Sequence, residues 1–141
     1  MDLRPLGVGD ADAACALYLE LTRSGRVAQP EQFSKVLSHP GTTVCGAFIG
    51  PSLAGMATLH LMPNMTYGGQ PYGLIENVVT ARRFQGQGVG RDVLTWLIDI
   101  AWAADAYKVM LLTGQARGAQ GFYRKVGFDD SDKHGMVIRR S

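Results

Sequence analysis

The chain has 141 residues, of which 46% are hydrophobic and 18% charged, and its formal net charge is +2. We expect residues 1–141 to form one domain without a nucleic-acid partner or a membrane span, since the charge is small and no apolar run approaches the roughly 20 residues that cross a bilayer. The N-terminus lacks the pattern of a signal peptide, and Cys15 and Cys45 have neither metal-site nor disulfide spacing, so we expect a cytoplasmic protein with reduced thiols and no metal.

The first third of the sequence predicts one short strand and two helices. Residues 3–6 predict the strand. Asp10 can cap a helix that runs to about Arg23, because apolar residues recur there at helical spacing. Pro30 suits the start of a second helix, which stops at His39-Pro40.

The middle of the sequence predicts strands. Residues 43–49 and 53–62 flank Gly50-Pro51-Ser52 and predict a hairpin. Residues 63–71 predict a loop by their proline and glycine content. Residues 72–79 predict a strand that is buried on both faces, because its apolar run is nearly continuous.

The last part predicts alternating strands and helices. A glycine-rich loop at residues 84–91 leads into a helix that reaches about Ala106. A buried strand at 108–113, a short helix at 121–126 and a last strand at 134–140 follow.

The order of these elements predicts an α/β fold with a mixed sheet. Antiparallel strands come first, and the unit from Tyr72 to Thr113 is long enough for a crossover between two parallel strands. We therefore expect three layers, with helices on both faces of the sheet.

The glycine-rich loop indicates an anion site. A loop that enters a helix presents N–H groups without helical partners, at the positive end of the helix dipole, and glycines let a ligand approach the backbone closely. The window from Asn77 to Arg91 contains three arginines and no acid. The dinucleotide and Walker patterns do not fit, whereas Q-x-x-G-x-G does at 85–90. A plain strand-to-helix turn is the alternative, and the basic window favours the anion site.

Two segments resemble a known family. LIENVVTARRFQGQGVGR (74–91) resembles the coenzyme A signature of the GCN5-related N-acetyltransferases (GNAT). YKVMLLT (107–113) and GFYRKVGF (121–128) resemble the next strand of that family and its tyrosine-bearing helix. Within the family, the likeness is closest to the glucosamine-6-phosphate N-acetyltransferases, which also have an I-E-[DN] strand and a terminal I-R. The resemblance implies the GNAT fold, a three-layer α/β/α domain with a splayed central sheet.

The resemblance also implies a reaction and a way to hold its co-substrate. An acetyl group would pass from acetyl-CoA to a primary amine of a small molecule, by direct attack in a ternary complex and without a metal. The N–H of Val78 or Val79 would polarise the thioester carbonyl. The pyrophosphate would be held by the loop residues Gln85, Gly86, Gln87, Gly88, Val89 and Gly90, with Arg91 adjoining.

Glu76 is the candidate general base. An acid within LIENVV is unusual for a buried strand. Burial would disfavour the charged carboxylate, so Glu76 would take up a proton more readily, as a general base must. Alternatively, Glu76 pairs with an arginine or only contacts the ammonium group of the substrate. Asn77 is a further candidate for substrate binding. We expect it on the opposite side of the strand, where it could instead close a strand distortion.

Tyr123 is the candidate general acid, because the family has a tyrosine in the context Y-x-K-x-G-F found at 123–128. The alternative is a core tyrosine with its hydroxyl at the surface. Arg139 matches a terminal arginine that reaches a substrate phosphate from a partner subunit in the aminosugar enzymes, or it is simply solvated. The acid that those enzymes have near 113–115 is absent, which argues against an aminosugar phosphate. His60 is interpreted as structural.

Two other functions compete with a small-molecule acetyltransferase. One is a coenzyme A-binding sensor without turnover, which would need neither the base nor the acid. The other is a peptide or protein N-acetyltransferase, which would need an open acidic groove. We expect the loop at 63–71 and the N-terminal helices to line the acceptor pocket. A homodimer is expected from the habit of the family.

Overall fold

The computed structural model describes residues 1–140, in which a five-stranded sheet has helices on both faces. The strands are β1 (Asp2–Pro5), β2 (Thr42–Ile49), β3 (Ser52–Met62), β4 (Tyr72–Thr80) and β5 (Lys108–Met110). The α-helices are α1 (Ala11–Leu21), α2 (Gln32–Ser38), α3 (Val89–Ala103) and α4 (Gln120–Val126). Within these residues no helix combines the length and the apolar character needed to span a bilayer.

The strands lie in the sheet in chain order. β1 to β4 are antiparallel neighbours, and β4 and β5 are parallel, with α3 between them along the chain. The predicted hairpin and the predicted parallel crossover are therefore confirmed.

Two buried clusters attach the helices to the sheet. Because side chains alternate along a strand, neighbouring residues of β2 and β3 supply opposite faces. The cluster on the α1 and α2 face includes Leu17, Phe33, Val44 and Met56. The cluster on the α3 face includes Cys45, Leu59, Ile75, Leu94 and Leu97. The three-layer arrangement with a mixed sheet is confirmed.

A β-bulge interrupts β4. Glu76 and Val79 pair with Thr58 and Met56, so the two residues between them on β4 face one residue of β3. Asn77 has a left-handed φ of 54°, which is uncommon outside glycine. A bulge bends its strand and breaks the alternation of side chains.

The ladder between β4 and β5 is short. It joins Tyr72–Leu74 to Lys108–Met110 and then stops, so the two chains separate beyond it. The predicted strand at 108–113 is therefore wrong over its last three residues, which have no strand beside them to pair with.

The predicted strand at 134–140 is also wrong. Residues 133–140 have no regular secondary structure. Met136, Val137 and Ile138 are 89%, 61% and 98% exposed. The apolar pattern suggested a strand, but a strand also needs a neighbour for its backbone N–H and C=O groups. None is in place within residues 1–140.

Gly55 allows α3 to begin directly against the sheet. A Cβ at this position would lie 2.6 Å from Cγ1 of Val89 and 3.0 Å from the carbonyl oxygen of Val79. We expect Gly55→Ala to lower the free energy of unfolding by about 1–3 kcal/mol, because neither neighbour is a flexible side-chain tip. Urea unfolding measures the change.

Gly7→Ala is the matched control. It has an extended backbone with φ −114°, and no heavy atom lies within 4 Å of the added Cβ. We expect a change within about 0.5 kcal/mol. Equal stability of the two variants would contradict close packing at Gly55.

Candidate active site

A cleft of about 960 Å³ opens where β4 and β5 separate. Its walls come from α1, α2 and the segment between them, from β3 and β4, and from the chain that follows β5. The lining residues used below are Tyr18, Arg23, Arg26, His60, Glu76, Asn77, Val78, Thr113, Arg117, Tyr123 and Arg139.

The acceptor side of the cleft differs in part from the prediction. The N-terminal helices line it as expected. The loop at 63–71 contributes no lining residue among those that the structure describes, and Tyr67 in that loop stacks on Tyr107 with ring centroids 4.1 Å apart. Residues 21–29 take its place, because the segment between α1 and α2 lies over the opening beside β4.

Glu76 and Asn77 both line the cleft. Strand alternation predicted that only one of them could, and the bulge at Asn77 is why that prediction is wrong. Glu76 is exposed, so its predicted burial is wrong as well. Beyond Leu74, β4 has no partner on its β5 side, and the carboxylate therefore opens into the cleft.

Val78 and Val79 are separated by the fold. Val78 lines the cleft, whereas Val79 is buried in the cluster on the α1 and α2 face. Val78 is therefore the one of the two that could contact a group bound in the cleft. Val78 follows Asn77 within the bulge, where two residues face one on β3.

Tyr123 of α4 lines the same cleft as Glu76. Its half-buried ring packs edge-on against Phe122 and Phe128, with centroids 5.1 Å and 6.1 Å away. Burial raises the pKa of Tyr123, and the charge of Arg117 lowers it in part. The phenol therefore holds its proton at neutral pH, as a general acid must.

The glycine-rich loop lies outside the lining of this cleft, at the N-terminus of α3. Gly86 and Gly88 have left-handed φ values of 80° and 82°, and a Cβ at either would point into open space. The side chain of Val89 is buried, so only its backbone could contact a ligand at the loop. Gln87 and Arg91 are exposed. The first turn of this 15-residue helix thus presents its N–H groups and positive dipole end to solvent.

The loop is fixed at both ends. Gln85 donates from Nε2 to the carbonyl oxygen of Thr80, at 3.3 Å. Gly90 lies under Phe122, and a Cβ there would be 3.1 Å from Cζ of that ring. These contacts hold the loop between the end of β4 and α4.

Basic side chains flank the loop. Arg82, Arg83 and Arg91 are exposed, and Arg83 donates to Oγ of Ser52 at 3.0 Å. The ion pairs found within residues 1–140 join Arg4 to Asp10 and Arg124 to Asp130, so these three arginines pair with no carboxylate there. The three guanidinium groups therefore leave positive charge beside the loop, while the carboxylate of Glu20 accepts from the backbone N–H of Arg82 at 3.2 Å.

Four further arginines, which we name the arginine cluster, line the cleft: Arg23, Arg26, Arg117 and Arg139. Glu76 is the one carboxylate among the lining residues described. Arg117 donates to the carbonyl oxygen of Leu21 at 3.0 Å, which ties this side of the cleft to the end of α1. Only Arg139 was anticipated. The available signal for Arg23 and Arg26 was their place in an acid-free stretch after α1, and no signal pointed to Arg117.

A family model described as Acetyltransferase (GNAT) family matches residues 11–128. A glucosamine 6-phosphate N-acetyltransferase of Trypanosoma brucei brucei is 34% identical over 76 residues, which are 54% of this chain and 50% of that protein. The match thus spans about half the length of this curated relative.

Solved structures are similar over nearly the whole chain. A protein of Agrobacterium tumefaciens str. C58, named a putative acetyltransferase, is 36% identical with a TM-score of 0.93, covering 99% of this chain and 100% of its own. The glucosamine-6-phosphate N-acetyltransferase of Arabidopsis thaliana has a TM-score of 0.82 at 22% identity, covering 99% and 97%. The second likeness concerns the fold alone.

The loop geometry predicts how a substitution at Gly88 acts. We expect acetyl-CoA to raise the melting temperature, because a ligand that binds only the folded state stabilises it. Gly88→Asp should abolish this shift, since it adds a negative charge and a Cβ where the anion would lie. Differential scanning fluorimetry with and without acetyl-CoA measures it.

Gly68→Asp is the matched control, with φ 67° and no heavy atom within 4 Å of the added Cβ. Gly68→Asp imposes similar backbone strain at a position outside the glycine-rich loop at residues 84–91. A full acetyl-CoA shift in Gly88→Asp would show that the ligand does not use this loop.

Proposed function

Because the chain belongs to the acetyltransferase (GNAT) family, we propose that it is an acetyl-CoA-dependent N-acetyltransferase that acts on a small primary amine. One observation carries the proposal: Glu76 and Tyr123 line a single cleft at the separation of β4 and β5. A base and an acid are thus available where a thioester and an amine could meet.

The anion site at α3 would hold the pyrophosphate of acetyl-CoA. Backbone N–H groups of residues 85–90 and the nearby arginines suit a diphosphate, and the left-handed glycines leave room for it. With its pyrophosphate bound there, acetyl-CoA would extend its acetyl group into the cleft between β4 and β5. The N–H at Val78 would then stabilise the negative charge that develops on the carbonyl oxygen.

The proton transfers follow from the side chains in the cleft. The ammonium group of the acceptor loses a proton to Glu76, directly or through a water, and the amine attacks the thioester carbonyl carbon. The C–S bond breaks as the tetrahedral intermediate collapses. Tyr123 protonates the leaving thiolate, and its phenolate takes the second proton of the amine nitrogen. The products are an amide, the free thiol of coenzyme A and one proton.

The arginine cluster favours an acceptor that also carries an anionic group. Four guanidinium groups against one carboxylate give the cleft a positive field, which would repel a purely cationic amine. Guanidinium groups bind phosphate or carboxylate well, and Glu76 would contact the ammonium. Residues 113–115 lack the acid of the aminosugar enzymes, which argued against such a substrate. The arginine cluster outweighs that absence, and a phosphorylated aminosugar, the substrate in the name of the Trypanosoma relative, is the first candidate.

The competing functions have weaker support. A coenzyme A sensor would need neither Glu76 nor Tyr123 in its cleft. A peptide acetyltransferase for basic peptides would need an acidic groove, whereas this cleft is lined mainly by basic groups. The homodimer and the cytoplasmic location stay predictions.

Tyr123→Phe tests the general acid. We expect the variant to keep its acetyl-CoA thermal shift and to lose about 100-fold or more in the rate of thiol release, because the thiolate loses its proton donor. Tyr67→Phe removes an exposed phenol outside the cleft and should behave as wild type. A wild-type rate in Tyr123→Phe with a good amine would remove Tyr123 from the mechanism.

Arg139→Ala tests the anionic group of the acceptor. We expect the KM for glucosamine 6-phosphate to rise about tenfold, since a hydrogen bond to a charged group is worth about 1.5 kcal/mol or more. The KM for glucosamine should hardly change. Arg140→Ala, next in the chain but outside the cleft lining, is the matched control. Equal effects on both amines would argue against this contact.

A further inference from the structure

Hydrogen bonds lead from the cleft to the surface through two histidines and a threonine. His60 lines the cleft, and its Nδ1 lies 2.8 Å from Oγ1 of Thr42. The same oxygen lies 3.1 Å from Nδ1 of His39, whose side chain is exposed. The two imidazole centroids are 6.2 Å apart. Both histidines use Nδ1 toward the threonine, so Nε2 is the nitrogen that each has for another partner.

His60 and Glu76 lie on the same side of neighbouring strands. Glu76 pairs with Thr58, and His60 pairs with Leu74. His60 is therefore the diagonal neighbour of Glu76, at a Cα separation of about 7–8 Å. Both side chains line the cleft, and side chains of this length can exchange a proton across such a distance through one water.

The proposed reaction must deliver a proton to solvent. An ammonium group loses two N–H protons on becoming a secondary amide. One of them balances the proton that Tyr123 gives to the thiolate, and the other has to leave the site. A route fixed within the protein would deliver this proton while the amine and acetyl-CoA occupy the cleft.

We propose that His60, Thr42 and His39 carry this proton from the cleft to solvent; the proposal rests on the proposed acetyltransferase function. His60 accepts the proton at Nε2, from Glu76 or from a bridging water, and releases its Nδ1 proton to Oγ1 of Thr42. The hydroxyl passes its own proton to Nδ1 of His39, which releases the Nε2 proton to bulk water.

The route needs no other reactant. Each group gains one proton and loses one, so every turnover leaves all three with unchanged charge. Both histidines end in the other tautomer, and they return by exchange with water at Nε2 after the products leave. Histidine suits this use because it takes up and releases protons near neutral pH.

The charged and titratable groups that share the cleft with His60 are few. Glu76 lies diagonally across the sheet, and the arginine cluster, Tyr18, Cys15 and Tyr123 complete the set among the described lining residues. Glu76 is the one carboxylate of this set. It is therefore the group from which His60 would receive a proton.

Thr42→Val tests the relay, because it keeps the β-branched shape and removes the hydroxyl between the rings. We expect kcat to fall about tenfold at neutral pH, with the KM values and the acetyl-CoA thermal shift unchanged. The lost rate should return as the concentration of imidazole buffer rises, since a mobile base can then carry the proton. His60→Gln should show the same buffer dependence.

Thr43→Val is the matched control, because Thr43 neighbours Thr42 on β2 and faces the opposite side of the sheet. It should match wild type at every buffer concentration. The relay is overturned if Thr42→Val and His60→Gln match wild type, or if they are slow without any recovery in buffer. If the wild-type protein acetylates no amine, the proposed function and the relay are both overturned. If the wild type is active and Thr42→Val and His60→Gln have the same rate as the wild type, only the relay is overturned.

Discussion

The separation of β4 from β5 is the constraint on which the rest of the structure depends. The two strands pair over three residues each and then part, and the bulge at Asn77 keeps β4 irregular beyond that point. A ladder continued to Thr80 would close the backbone of β4 against its neighbour. Because it stops at Leu74, Glu76, Asn77 and Val78 all open into one cleft. The proposed chemistry thus uses the part of β4 that is paired with β3 on one side and unpaired on the side of β5.

Close packing sets the position of the glycine-rich loop, the proposed anion site, relative to that cleft. Gly55 lets the first turn of α3 approach the sheet, and Gly90 lets the ring of Phe122 lie against the same turn. The loop is therefore held by the core on one side and by α4 on the other. A helix N-terminus binds anions only where its N–H groups face a ligand, so these two contacts matter as much as the glycines within the loop.

Charge is distributed unevenly over a chain that is nearly neutral as a whole. The loop at α3 and the arginine cluster are both basic, while acids such as Asp10 and Asp130 pair with arginines elsewhere. Two positive regions, which we propose for a diphosphate and for an anionic acceptor, suit the proposed reaction of two substrates. Glu76 is the exception within the cleft, and its carboxylate suits the proposed ammonium group of the acceptor.

The sequence by itself determined the order of most elements and the glycine-rich loop, and it indicated Glu76 and Tyr123 as candidate residues. These features depend on local patterns of a few residues. Tertiary structure alone decided that Glu76 is exposed, that Asn77 shares its cleft, and that residues 134–140 form no strand. The grouping of four arginines in one cleft and the contacts of His60 also arise only from the tertiary structure. Such features depend on which distant segments meet and on which strand lacks a neighbour. The periodicity of side chains along the sequence does not show which segments pair over long range.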